Sequence, residues 1–263
     1  MRPSFALPLI FLAISAFSQT ATVPIPFACS ADDIEHFGLN CSAERPCHVY
    51  ADLNFVESVG ARVFLTGNLH TDTLTLYSLL FASEDSGVTW KEAHERLRSG
   101  NLDQIQFIDF QNGWISGGIL TALPRDPFFL VTRDGGQTWR DRPVFDEGRI
   151  GTIAEFWFES KSSGQLVIDH TRRPESGNRY ELHESMTGGD TWMPKQLSPK
   201  LMKLAHSRSG SERSGWRLHP DSKTKTTRVE VERGGKWEAI ATFPIRVDDC
   251  KPPEPKPDAQ PWL

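Results

Sequence analysis

The sequence predicts an all-β fold, a propeller of about four four-stranded blades, on three observations. A turn motif ending in Trp recurs, a Gly ahead of a short apolar stretch recurs in step with it, and the segments between read as strands. The motif runs Ser83-Glu84-Asp85-Ser86-Gly87-Val88-Thr89-Trp90, then Thr132-Arg133-Asp134-Gly135-Gly136-Gln137-Thr138-Trp139, then Ser185-Met186-Thr187-Gly188-Gly189-Asp190-Thr191-Trp192. A degraded copy ends Gly234-Gly235-Lys236-Trp237, and the four Trp are 49, 53 and 45 residues apart. The second landmark, Gly60, Gly113, Gly164 and Gly215, recurs at 53, 51 and 51 residues.

Within one repeat an apolar run (Ile105 to Phe110) leads to a turn at Asn112-Gly113 and a second run through Trp114 and Ile115. A loop, a third run (Phe128 to Val131), the motif turn and a fourth run from Thr138 follow. Apolar or alternating runs bounded by Asn, Asp, Gly and Pro are the signal of strands. Four strands every ~50 residues describe one propeller blade. The expected blades are 50–99, 102–148, 151–199 and 201–247, preceded by a Cys-containing segment at 19–49 and followed by a Pro-rich tail at 248–263.

Composition agrees with a folded domain. The chain has 263 residues, 38% of them hydrophobic, and 29 Lys plus Arg stand against 34 Asp plus Glu for a net charge of −5. That balance lacks the basic excess with which nucleic-acid binders neutralise phosphate. At the N-terminus, Arg2, an apolar run from Phe5 to Phe17 and the small residues Ala16 and Ser18 make a secretory signal peptide over 1–18. The run is shorter than the ~18 apolar residues of a comfortable membrane span, so no stable membrane anchor is expected. The protein is expected to be periplasmic or extracellular.

An even number of Cys in an exported chain favours disulfides over a metal site. The four Cys allow three pairings. Cys41 and Cys47 enclose a short loop around Pro46 and are expected to pair locally, which leaves Cys29 for Cys250 and ties the chain ends together.

The turn motif has a mechanical explanation. An Asp at the start of a hairpin turn accepts hydrogen bonds from backbone N–H groups further round it, and the following Gly supplies a positive φ. The closing Trp buries a large ring between sheets. Asp85 and Asp134 fit, Thr187 replaces the carboxylate in the third copy, and the fourth has lost it. The full expected structural set is Ser83, Asp85, Gly87, Thr89 and Trp90; Thr132, Asp134, Gly136, Thr138 and Trp139; Ser185, Thr187, Gly189, Thr191 and Trp192; and Trp237.

These residues resemble the Asp-box, or bacterial neuraminidase repeat, most closely in Thr132 to Trp139. With the upstream Gly113-Trp114-Ile115-Ser116-Gly117-Gly118, residues 50–247 resemble the propellers of the photosystem II stability and assembly factor-like family and its non-photosynthetic bacterial relatives. The resemblance implies a propeller whose boxes lie away from the active face. It also implies either a protein-interaction or assembly module or, in the wider group, a glycoside hydrolase or lectin. Those families generally carry six or more blades, so four blades here either close on themselves or complete a ring with another chain. Closure within one chain is the expectation, because Cys29 and Cys250 flank the first and last blades.

A sialidase-like site needs a cluster of Arg and a Tyr nucleophile, but Tyr50, Tyr77 and Tyr180 are the only Tyr and the nearest Arg motif, Arg149-Ile150-Gly151, is misplaced. Glycosidases use paired carboxylates, for which Asp109, Asp126, Asp169 and Glu181 are nameable without distinction from the other acids. The eight His form no His-x-His or His-x-x-x-His, so no metal is expected. The glycine pairs lack a following Lys-Ser/Thr and are turns rather than phosphate cradles, and no cofactor is expected.

What remains is surface. The loops opposite the box turns hold Arg172, Arg173, Arg179, Lys223 and Lys225, a cationic patch suited to an acidic protein partner or an anionic glycan. The tail has Pro at 252, 253, 255, 257 and 261, which favours an extended segment. The expected function is that of an exported, non-enzymatic interaction module, with a carbohydrate-active protein as the alternative.

Overall fold

The computed structural model describes residues 21–121, 123–170, 177–204 and 214–252. The expected signal peptide, Arg172, Arg173 and the tail beyond Pro252 lie outside the described residues. The fold is all-β, as expected. Among the described residues four sheets form, one per blade; within each blade the consecutive strands meander antiparallel, and strands from the two chain ends add at the edges of two sheets, one parallel and one antiparallel.

Blade 1 comprises β2 (Cys47–Val59), β3 (Arg62–His70), β4 (Thr75–Ser83) and β5 (Lys91–Glu92). Blade 2 comprises β6 (Gly100–Phe107), β7 (Gly113–Leu120), β8 (Pro124–Thr132) and β9 (Arg140–Pro143). Blade 3 comprises β10 (Thr152–Phe158), β11 (Gly164–Asp169), β12 (Tyr180–Ser185) and β13 (Met193–Ser198). The described part of blade 4 comprises β14 (Trp216–Asp221), β15 (Thr226–Arg233) and β16 (Lys236–Pro244). Its fourth strand is β1 (Ala21–Thr22), laid parallel along β16 with Ala21 opposite Ala241. The place of a first strand in this repeat, ahead of Gly215, falls on 205–213, outside the described residues.

The chain ends join the last blade to the first. After β1 the backbone crosses to blade 1, where α1 (Ala31–His36) packs its Asp33 and the following Phe37 on Tyr77. After β16, β17 (Arg246–Cys250) pairs with β2, Cys250 opposite Cys47. Cys29 is bonded to Cys250 and Cys41 to Cys47.

Three hydrophobic clusters lie on three seams. The first joins blades 4 and 1 through Leu65, Phe81, Trp216 and Phe243; the second joins blades 1 and 2 through Phe64, Ile105 and Leu130; the third joins blades 2 and 3 through Trp114, Phe129, Phe158 and Leu166. The box Trp residues key these seams. Trp90 packs on Phe243 of blade 4, Trp139 on Phe64 of blade 1, and Trp192 on Phe129 of blade 2. Each therefore leans on the preceding blade, and for the first blade the preceding one is the last. Trp237 lies instead under the Arg217 guanidinium, 4.3 Å from its ring centre. Trp139 is buried, and Trp90, Trp192 and Trp237 are half-buried.

The turns are built from a repeated hydrogen-bond set. The Ser83 hydroxyl donates to Asp85 (2.8 Å) and accepts from the Gly87 N–H (2.8 Å), while Asp85 accepts from the Thr89 N–H (2.8 Å) and hydroxyl (2.6 Å). Thr132, Asp134, Gly136 and Thr138 repeat the pattern. In the third turn Thr187 Oγ1 accepts from the Thr191 N–H at 2.9 Å, and Ser185 accepts from the Gly189 N–H.

The pairing corrects one detail of the Gly landmark. Val63, Gly113, Gly164 and Trp216 are the equivalent positions, facing Ser83, Thr132, Ser185 and Val231. Gly60 and Gly215 sit earlier, in turns at φ +64° and +76°, whereas Gly113 and Gly164 open strands where Phe107 and Phe158 leave no room for a side chain.

Candidate functional site

Antiparallel alternation puts the box turns on one face and the β3–β4, β7–β8, β11–β12 and β14–β15 connections on the other. On that loop face the connections of blades 2 and 3 are laced together. Arg125 bridges Ile150, the Asp126 N–H donates to Arg149 O (2.8 Å), His170 Nδ1 lies 3.3 Å from Ile150 O, and the His170 N–H donates to Arg179 O (2.9 Å). Three exposed arginines are thereby held on neighbouring loops.

Each guanidinium is oriented locally. Arg179 donates twice to Asp169 (2.8 and 2.7 Å) and lies over Tyr180, and Arg125 donates to Asp126 (2.6 Å). Arg149 lies over Phe145, 4.6 Å from the ring centre, and has no ion-pair partner among the described residues. Asp126 holds a φ of +49°, a conformation unfavourable for a residue with a Cβ.

Beneath the arginines is a buried polar cluster. His170 is 3%, Glu181 9% and His183 2% exposed. His170 Nε2 lies 2.8 Å from Glu181 Oε2, and His183 Nε2 lies 3.5 Å from the same oxygen. Burial pushes the His183 pKa below its ordinary value, against the pull of Glu181. Among the described residues no set of three or more His, Cys, Asp or Glu is arranged to hold a metal ion.

The register of the four blades shows how unusual this cluster is. The position of His183, opposite Leu166, is filled by Phe81, Leu130 and Val229 in the other blades, and that of Glu181 by Leu79, Phe128 and Thr227. All eight are buried. Three blades thus fill this stripe with apolar groups or one hydroxyl, while the third carries a carboxylate and an imidazole. Buried ionisable groups cost stability unless they are paired, so packing alone does not select them.

Of the cationic residues expected from sequence, Arg179 joins this junction. Lys223 and Lys225 lie exposed in the β14–β15 turn of blade 4, and no ion pair involves them among the described residues. Asp109 is bound to its own turn, accepting from the N–H groups of Gln111 (2.8 Å) and Asn112 (2.7 Å). Arg125, Arg149, His170 and His183 were not marked as site residues by sequence reasoning. The Glu181-Leu182-His183 substitution is visible only once the repeats are aligned by strand pairing.

The fold defines the class of protein as a β-propeller with box-type hairpin turns. No protein-family model matches the chain, and no curated protein matches it. Among solved structures it is similar to YCF48 bound to D1 peptide, at 17% identity and a TM-score of 0.40, over 73% of this chain and 53% of that one. It is also similar to the GH74 xyloglucanase from Xanthomonas campestris, at 14% identity and a TM-score of 0.37, over 71% of this chain and 28% of that one. A third is the Penicillium chrysogenum alpha-L-arabinanase complexed with arabinobiose, at 11% identity and a TM-score of 0.37, over 73% of this chain and 59% of that one. The chain spans about half the length of the YCF48 chain it matches.

Proposed function

We propose that the protein is an exported, non-enzymatic propeller that binds a partner protein on its loop face, where an acidic segment of the partner meets the arginines of blades 2 and 3. The observation that carries this reading is Arg149, exposed, stacked on Phe145 and without an ion-pair partner among the described residues, between two arginines fixed by Asp126 and Asp169. A guanidinium held in place by an aromatic ring loses little conformational freedom when it engages a carboxylate. Arg179, Lys223 and Lys225 extend the same face, and Arg172 and Arg173 belong to the β11–β12 connection by sequence. Two disulfides accord with an oxidising compartment. No helix among the described residues is long and apolar enough to cross a membrane.

The test is affinity capture from envelope extract with the mature protein as bait, followed by mass spectrometry. The wild type and a Lys236→Glu variant on the box face are expected to recover the same partner, and an Arg149→Glu/Arg179→Glu variant is expected to lose it. Equal recovery by the double variant would contradict the reading.

A further inference from the structure

Cys47 and Cys250 face each other in the antiparallel pair of β2 and β17, yet they are not bonded to each other. Residues directly opposite in such a pair project to the same side of the sheet with Cα atoms ~4.5–5.5 Å apart, inside the ~4.4–6.8 Å over which a disulfide forms without backbone movement. Both are bonded outward instead, Cys250 to Cys29 at a Cα separation of 5.0 Å and Cys47 to Cys41 at 5.3 Å. Four cysteines therefore meet at one junction. It lies where Cys47 to Val49 pair with β17 alone, β3 reaching only to Tyr50. Cys250 is 0% exposed, whereas Cys41 and Cys47 are half-buried and in reach of solvent.

We propose that this junction is a thiol–disulfide exchange site, which takes a dithiol reductant as its substrate and responds by moving the bond of Cys250 from Cys29 to Cys47. The dithiol meets the solvent-accessible Cys41–Cys47 bond first. One of its thiolates attacks Cys41 Sγ and frees Cys47; its second thiol then releases Cys41, so the dithiol ends as a disulfide and Cys41 and Cys47 as thiols. The Cys47 thiolate next attacks Cys250 Sγ across the strand pair. The Cys29–Cys250 bond breaks, the Cys47–Cys250 bond forms, and the electron pair leaves on Cys29, which takes up the proton that Cys47 gave up. This second step consumes no reductant, and Cys250 needs no exposure because its attacker stands opposite it. The outcome is selective. β17 stays bonded to β2, while residues 21–29 lose their covalent hold and are left to the two-residue pairing of β1 with β16, the bond of the Cys29 N–H to Asp248 (2.9 Å) and the packing of Ile25. Val23, Pro24 and Pro26 of that segment wall the cleft over Phe81 and Trp90 at the seam of blades 4 and 1, so its release opens that seam from outside.

The experiment is reduction of the mature protein with a single equivalent of dithiothreitol under native conditions, followed by alkylation of the free thiols and non-reducing peptide mapping. Alkylation is expected on Cys29 and Cys41, with the Cys47 peptide linked to the Cys250 peptide. Hydrogen exchange is expected to lose protection at the Val23 N–H, which donates to Thr242 O (2.8 Å), and to keep it in β17. Two variants leave the junction with one free thiol: Cys41→Ser is expected to carry the label on Cys29, and Cys47→Ser on Cys41. The wild-type map decides the matter however either variant folds. Any other first pair of alkylated thiols, Cys41 with Cys47 above all, would overturn the proposal, as would a Cys41→Ser label confined to Cys47.

Discussion

Cys29 and Cys250 stand 221 residues apart in sequence and are joined by a disulfide, with their Cα atoms 5.0 Å apart. The bond lies where β17 meets β2, so it holds the last blade against the first. In the chain-entropy account, closing a loop of this length removes about 5 kcal/mol of freedom from the unfolded chain, and the Cys41–Cys47 loop only about 2. Cys29→Ser/Cys250→Ser is thus expected to lower the urea midpoint well below that of Cys41→Ser/Cys47→Ser. Equal midpoints would show that the seam of Phe81, Trp216 and Phe243 holds the ends together unaided.

Asp85 and Asp134 carry the acid sensitivity of the box turns. Asp85 is held down to about 2 by hydrogen bonds from the Thr89 hydroxyl and N–H; for Asp134, burial pushes upward but the bonds from Thr138 and Thr132 outweigh it, again to about 2. A carboxylate whose folded pKa lies below its ordinary 3.8 contributes stability above that value and loses it as the pH falls toward about 2. Asp85→Asn/Asp134→Asn is expected to be less stable at neutral pH and to show a flatter loss of stability through that window. Parallel curves for the variant and the wild type would contradict it.

The third turn offers the converse change. Thr187 accepts from Thr191 with a hydroxyl where Asp134 accepts from Thr138 with a carboxylate. Thr187→Asp is expected to raise stability by about 1 kcal/mol, the gain from charging an acceptor that is already in place, read by chemical denaturation at neutral pH. A loss of stability would show that the third turn differs in backbone as well as in side chain.

How far these features were legible in the sequence depends on how local they are. The box turns were readable because Gly87, Gly136 and Gly189, at φ +89°, +85° and +97°, sit at a fixed distance from a Trp. β1 was not readable, because two residues carry no periodicity and their strand character comes from β16 alongside. β17 lies at the edge of the Pro-rich stretch and was partly read as tail for the same reason, its partner β2 being far off in sequence. The His170, Glu181 and His183 cluster was hidden differently. His-x-His spacing misses it because the two imidazoles meet through a strand connection, and only pairing with Leu166 and Ile168 shows that Glu181 and His183 occupy an apolar stripe.

Gly136 tests the keying of blade 2 onto blade 1. It holds φ +85°, and a Cβ there would lie 2.4 Å from the Phe64 ring. Gly136→Ala is expected to cost at least about 2 kcal/mol, from about 1–2 for the left-handed backbone and about 1–3 for overpacking. Thermal melting measures it, and an unchanged midpoint would mean that the turn relaxes away from Phe64.

The loop face, not the box face, is proposed to meet the partner, and lysines mark both. Lys223 and Lys225 lie exposed in the β14–β15 turn, and on the opposite face Lys161 lies exposed in the β10–β11 turn and Lys236 at the start of β16. Amine cross-linking of the mature protein in envelope extract, followed by peptide mapping, separates the two. The account predicts partner peptides linked to Lys223 or Lys225; links confined to Lys161 or Lys236 would contradict it.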